Sequence, residues 1–157
     1  MELDFIKKTE KIQILLFDVI GEFLQKFANK IIVTYDTEEK FNKLEISVSN
    51  KSNSKTIIFY YSEGLNIDNE FIRLYLFSIE TEKKEGIKRN KFYMQDYAQF
   101  KDLPYNQFIP AKYYYNYKEK LIEVFEQVKL ILEDAELSKV LYADEWIEVP
   151  INLEPYK

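Results

Sequence analysis

Apolar residues recur at helical spacing from Leu3 to Asn29. Phe5, Ile12, Leu16, Val19, Ile20, Phe23, Leu24 and Phe27 share one broad face, while Lys7, Lys8, Lys11, Glu22 and Lys26 lie mostly away from it. The pattern predicts a long amphipathic helix, with Asp4 as a cap or first-turn acid. Gly21 weakens the helix slightly and offers room for close packing.

The period then changes to two. KIIVTYD (30–36) is short and β-branched, and KLEISVSN (43–50) alternates, with Leu44, Ile46 and Val48 opposite Glu45, Ser47 and Ser49. KSNS (51–54) is turn-like. TIIFYY (56–61), EFIRLYLFSIETE (70–82) and IKRNKFYM (87–94) predict further strands, the last two joined by a hairpin tip at KKEG (83–86). Such short connections favour an antiparallel meander of four or five strands.

DYAQFK reads as a helical turn, and LPYNQFIPAK (103–112), between Pro104 and Pro110, reads as an ordered loop. Helical period returns from Tyr113 to Asp134, with Tyr114, Tyr117, Leu121, Val124, Phe125, Val128, Ile131 and Leu132 as the inner face. The tail from Glu136 mixes a short helical turn with an extended end, where Pro150 and Pro155 argue against a helix. The expected fold is a single α+β domain over residues 1–157. An N-terminal helix and a C-terminal helix pack on one face of the antiparallel meander, giving a two-layer sandwich.

One feature strains this plan. Ile57, Phe59 and Tyr61 alternate with Ile58 and Tyr60, and Phe71, Tyr75, Phe77 and Ile79 oppose Ile72, Leu74 and Leu76. Both faces of the central strands are therefore apolar, whereas an antiparallel sheet usually leaves one face to water. The second face calls for a cover. The tail around Trp146 and the 97–112 loop are the expected cover; a second chain or a partner is the alternative.

Composition narrows the chemistry. With 46% hydrophobic residues, the 157-residue chain can build one packed core. It has no cysteine, which excludes disulfides, zinc-thiolate sites and cysteine nucleophiles. It has no histidine, so the commonest general base is missing and a Ser-His-Asp triad cannot be built. The three glycines, Gly21, Gly64 and Gly86, form no phosphate-binding pattern. No catalytic residue, metal or cofactor is assigned. The net charge of -5 argues against general affinity for nucleic acid or anionic lipid. No stretch reads as a membrane span or secretion signal, so a cytoplasmic protein is expected.

Charge is unevenly spread. Lys83, Lys84, Lys88, Arg89 and Lys91 against Glu85 give residues 83–92 a net +4, while residues 133–157 carry a net -5. The basic tip suits a solubilising hairpin end or a phosphate contact. An E-x-K spacing near Asp36, Glu38, Glu39 and Lys40, and again at Glu82 and Lys84, occurs in metal-dependent nucleases, but solvated turns accumulate the same residues. Asp144 and Glu145 before Trp146 fit a sugar site, but a buried anchor tryptophan beside exposed acids explains them as well and is the preferred reading.

Tyr113, Tyr114, Tyr115 and Tyr117 crowd into five positions. On a helix, Tyr114 and Tyr117 follow the stripe of Leu121, and Tyr115 falls toward the opposite side. A nucleic-acid platform would interleave basic residues, and only Lys112 and Lys118 do so. Tyrosine with few lysines is instead the composition of a protein-binding surface.

In size, acidity, tyrosine content and missing catalytic residue types, the chain is similar to small acidic bacterial immunity proteins. That resemblance rests on no aligned motif and transfers no residue. It implies an inhibitor that covers the basic active site of a partner such as a toxin nuclease. The candidate contacts are Tyr115, Tyr117, Asp144, Glu145, Trp146 and Glu148. The competing readings are a phage or mobile-element protein that blocks host defence, a self-associating structural protein or homodimer, and a carboxylate-dependent metal hydrolase.

Overall fold

The computed structural model describes residues 2–36, 42–50, 54–63, 71–83, 88–106, 108–110 and 118–149. The chain runs α1 (Glu2–Phe27), β1 (Lys30–Asp36), β2 (Asn42–Asn50), β3 (Lys55–Glu63), β4 (Phe71–Lys83) and β5 (Lys88–Tyr93). It continues with α2 (Met94–Lys101), β6 (Phe108–Pro110), α3 (Lys118–Leu132) and α4 (Ala135–Tyr142). The α+β plan with a five-strand antiparallel meander and helices on the sheet is observed.

The strands pair in chain order, β1-β2-β3-β4-β5, and β6 joins the outer side of β4. β4 is long enough to hold two neighbours on that side. Ser78–Lys83 pairs with β5, and Phe71, Arg73 and Leu74 pair with β6. The sequence predicts only a loop at β6, because a three-residue strand carries no period of its own. Its pairing depends on the vacant upper half of the β4 edge.

Register explains the core. Ile31, Val48, Ile57, Ile79 and Phe92 form one row across the sheet, and Val33, Ile46, Phe59 and Phe77 form the next. Away from β1 these side chains are buried under the helices. α1 contributes Ile12, Leu16, Ile20, Phe23, Leu24 and Phe27, and α3 contributes Leu121, Val124, Phe125, Val128, Ile131 and Leu132. Both stripes match the 3.6-residue period read from the sequence. The rings of Phe59 and Phe125 meet edge-on at 5.8 Å, joining sheet to helix. The start expected for the second long helix, including Tyr113, Tyr114, Tyr115 and Tyr117, lies outside the described residues.

Gly21 is buried, but the expected close packing there is not seen. A methyl group built on it would meet only Phe17 of the same helix, at 3.5 Å, an ordinary contact. Gly21→Ala is therefore expected to stabilise the fold by about 0.5–1 kcal/mol through helix propensity alone. Urea denaturation measures the shift.

DYAQFK forms more than a turn: α2 is an eight-residue helix. Its N-cap, Tyr93, makes no side-chain cap. The Asp96 carboxylate instead accepts a backbone hydrogen bond from Tyr93, while partial burial raises its pKa. The helix ends with Asp102 in the left-handed region (φ 52°), where the Leu103 amide donates to the Ala98 carbonyl at 2.8 Å.

Tyr97 of α2 is fully buried and holds the start of α4. Its hydroxyl donates to Asp134 Oδ2 at 2.6 Å, and the Leu137 backbone hydrogen-bonds to the phenol. The phenol thus supplies the N-terminal cap that the Asp134 side chain does not make. Burial, then the Asp134 bond, push the Tyr97 pKa far upward, so the hydroxyl stays a neutral donor at physiological pH. Lys101 adds an exposed ion pair to Glu136 at 2.6 Å, a contact of little energetic weight. Tyr97→Phe is expected to cost about 1–3 kcal/mol, because it strands the Leu137 amide at the helix start. Equilibrium urea unfolding checks it.

The described parts of the expected cover for the second sheet face lie on the helix side instead. Of the 97–112 stretch, Leu103 and Tyr105 join the core on the helix side, and the Asn106 amide donates to Gln127 Oε1 of α3 at 2.9 Å. The tail residues 143–149 dock on the helix side as well, and residues 150–157 lie outside the described residues. On the opposite face, Ile58 and Tyr60 are half-buried, and Ile32 and Tyr93 are 43% and 47% exposed.

Candidate functional site

The site begins with a lysine facing inward. Lys55 opens β3, and the strand alternation puts it on the same side as Ile57 and Phe59. It is only 2% exposed. In register it sits beside Thr81 of β4, and Thr81 sits beside Asn90 of β5, so a polar row crosses this end of the buried face. Thr81 Oγ1 and Asn90 Nδ2 are shielded from solvent and make no hydrogen bond.

The Lys55 ammonium reaches the segment after α4. Nζ donates to the Ala143 carbonyl and to the Glu145 carbonyl, the latter at 3.1 Å. Burial pushes the Lys55 pKa down, and the nearby charges of Asp144 and Glu145 oppose that shift. The lysine therefore binds the backbone of an acidic segment while two acids of that segment partly compensate its charge. Val149 is buried and Ile147 packs against the core, which fastens the far end of the segment.

This anchoring leaves a defined set of groups outside. Asp144, Glu145 and Glu148 are exposed, and Trp146 is half-buried. The indole Nε1 of Trp146 is shielded from solvent, and the anchoring role expected of this ring is shared with Ile147 and Val149. Tyr142, in the last turn of α4, packs edge-on to Phe23 at 5.6 Å and to Phe27 at 6.3 Å, yet remains 42% exposed. Burial and then Glu133 raise its pKa, so its hydroxyl is a neutral hydrogen-bonding group. The surface is acidic and aromatic on a fixed backbone.

Four of the six residues singled out from the sequence, Asp144, Glu145, Trp146 and Glu148, lie together in this segment. Tyr115 and Tyr117 lie outside the described residues. The sequence reading missed Tyr142 and Lys55. Tyr142 follows the buried pair Val140 and Leu141, so helical period alone turns it off the core stripe. Lys55 shares the parity of Ile57 and Phe59, but a lysine beside a polar turn reads as solvated.

Other chemistry has less geometry behind it. Among the described residues, no group of three acids could hold a metal ion. Glu82 is exposed, and residues 37–40, like Lys84, lie outside the description. A groove of about 350 Å³ lined by Lys11, Ile12, Ile14, Leu15, Asp18 and Lys118 opens beside α1. Among the described residues, no helix is long and apolar enough to cross a membrane.

No known protein family matches the sequence, and neither a curated protein nor a solved structure shows significant similarity to the chain.

Proposed function

We propose that the chain is a cytoplasmic protein-binding module that occludes a basic partner, as an immunity- or antitoxin-type inhibitor does. The observation that supports this reading is the split of the 143–148 segment. Its backbone is held by buried Lys55, while the carboxylates of Asp144, Glu145 and Glu148 stay exposed. Fixed carboxylates lose little entropy on binding and raise the encounter rate with a basic cleft. Tyr142 and Trp146 supply aromatic area beside them, the residue types that dominate binding energy at interfaces. The mechanism is steric and electrostatic, with no bond made or broken.

The test is affinity capture from the native cytoplasm at low and high salt, with the bound protein identified by mass spectrometry. The same capture is repeated with the triple variant D144K/E145K/E148K. A single basic protein held at low salt, released at high salt and lost with the variant is the expected result. A captured protein that the triple variant holds equally well would remove this segment as the binding surface.

A further inference from the structure

The two edges of the meander differ in a way that points to a partner. β5, at one edge, carries Lys88, Arg89 and Lys91 within six residues, and like charges of that density discourage strand pairing. β1, at the other edge, reads KIIVTYD and has no charge between its first and last residues. It holds seven residues in unbroken register with β2, with no bulge and no proline. Among the described residues, no strand pairs with its outer side. Ile31 is 37% exposed and Ile32 is 43% exposed, on opposite faces of the same strand, and Lys30 and Thr34 are exposed. An edge of this kind is a template for another strand.

The sequence of β1 selects which strand. We infer that β1 pairs antiparallel with β1 of a second copy of this chain, about a twofold axis through Val33. A twofold perpendicular to the sheet keeps like faces together, so residues of the same parity must meet. Centred on Val33, this register places Lys30 opposite Asp36 at both ends. Ile31 falls opposite Tyr35, and Ile32 opposite Thr34. Shifting by two residues to a neighbouring twofold register takes Lys30 and Asp36 out of opposition within β1. The product is a continuous sheet through both copies, with both helix layers on one side.

The test is sedimentation equilibrium of the full chain over a wide concentration range, with the variants K30D and D36K. The wild type is expected to approach twice its 19.0 kDa mass as concentration rises. Each variant alone puts like charges opposite one another at both ends and is expected to weaken association about tenfold or more. An equimolar mixture of K30D and D36K is expected to recover the dimer, because opposite charges then face each other at both ends. Circular dichroism of each variant confirms that it is folded. A wild type that stays monomeric throughout overturns the proposal. So does a dimer that neither variant weakens, or a mixture no more associated than its components.

Discussion

Replacing Lys55 by alanine is expected to cost about 3–5 kcal/mol and to release the segment from Ala143 to Val149. Two effects add. The aliphatic stem leaves a void beside Ile57 and Thr81, and two carbonyls lose their donor. Lys55→Met separates them: it keeps most of the stem and loses only the ammonium, so it should fall between wild type and alanine. Trp146 is the single tryptophan of the chain, so its fluorescence reports on this segment alone. A red shift in K55A under conditions where circular dichroism stays native would show local undocking. Native emission and unchanged urea stability in K55A would mean that the lysine does not hold the segment.

The same residue predicts a pH dependence with a definite sign. Burial lowers the pKa of Lys55 below its ordinary 10.5, so the unfolded chain binds this proton more tightly than the folded one. Stability therefore contains a penalty at lower pH, which is relieved as pH rises from the depressed value toward 10.5. Tyr97 and Tyr105 act in the opposite sense, because their raised values in the fold make unfolding easier above their ordinary 10.0. The lysine contribution is thus read below pH 10. Stability of the wild type relative to K55M should increase with pH in that range.

Phe125→Ala is the second large effect, at about 3–5 kcal/mol. Phe125 is fully buried, meets Phe59 edge-on at 5.8 Å, and Phe59 in turn lies 4.7 Å from Phe77. This ring cluster is where α3 grips the two central strands. A loss of that size removes a large share of the 5–15 kcal/mol typical of a single domain. Phe125→Leu fills most of the space and should cost about 1–1.5 kcal/mol. Comparable losses for alanine and leucine in urea unfolding would show that ring volume is not what this site requires.

These positions also show what the sequence made legible. The inner stripes of α1 and α3 were readable because one face of each helix is apolar and the other charged, and a single period decides such a case. The order of the strands was readable because each connection is short. The sheet was less readable at its ends. Lys55 was missed because composition outweighed parity: the alternation that turns Ile57 and Phe59 inward also turns Lys55 inward. β6 was missed because its partner stretch lies more than thirty residues earlier, at Phe71, Arg73 and Leu74, and no local pattern announces a vacant edge. The placement of residues 143–149 differs from expectation for a related reason. Apolar content calls for a cover, while the docking of residues 143–149 is decided by a hydrogen-bonding lysine on the other side. Of the candidate surface, the acids were visible as a charge bias. Their fixed backbone was not, since it depends on a residue 90 positions away.

The meander has a consequence for how the chain reaches its fold. Every long strand pairs with its neighbour in sequence, so sheet assembly needs only short loops to close. The contact between α1 and α3, by contrast, joins segments separated by most of the chain. The hairpins of β2, β3 and β4 are therefore expected to form the folding nucleus, with the two long helices closing over it late. Conservative substitutions at Ile57 or Ile79 should slow refolding, whereas those at Leu16 or Val128 should mainly speed unfolding.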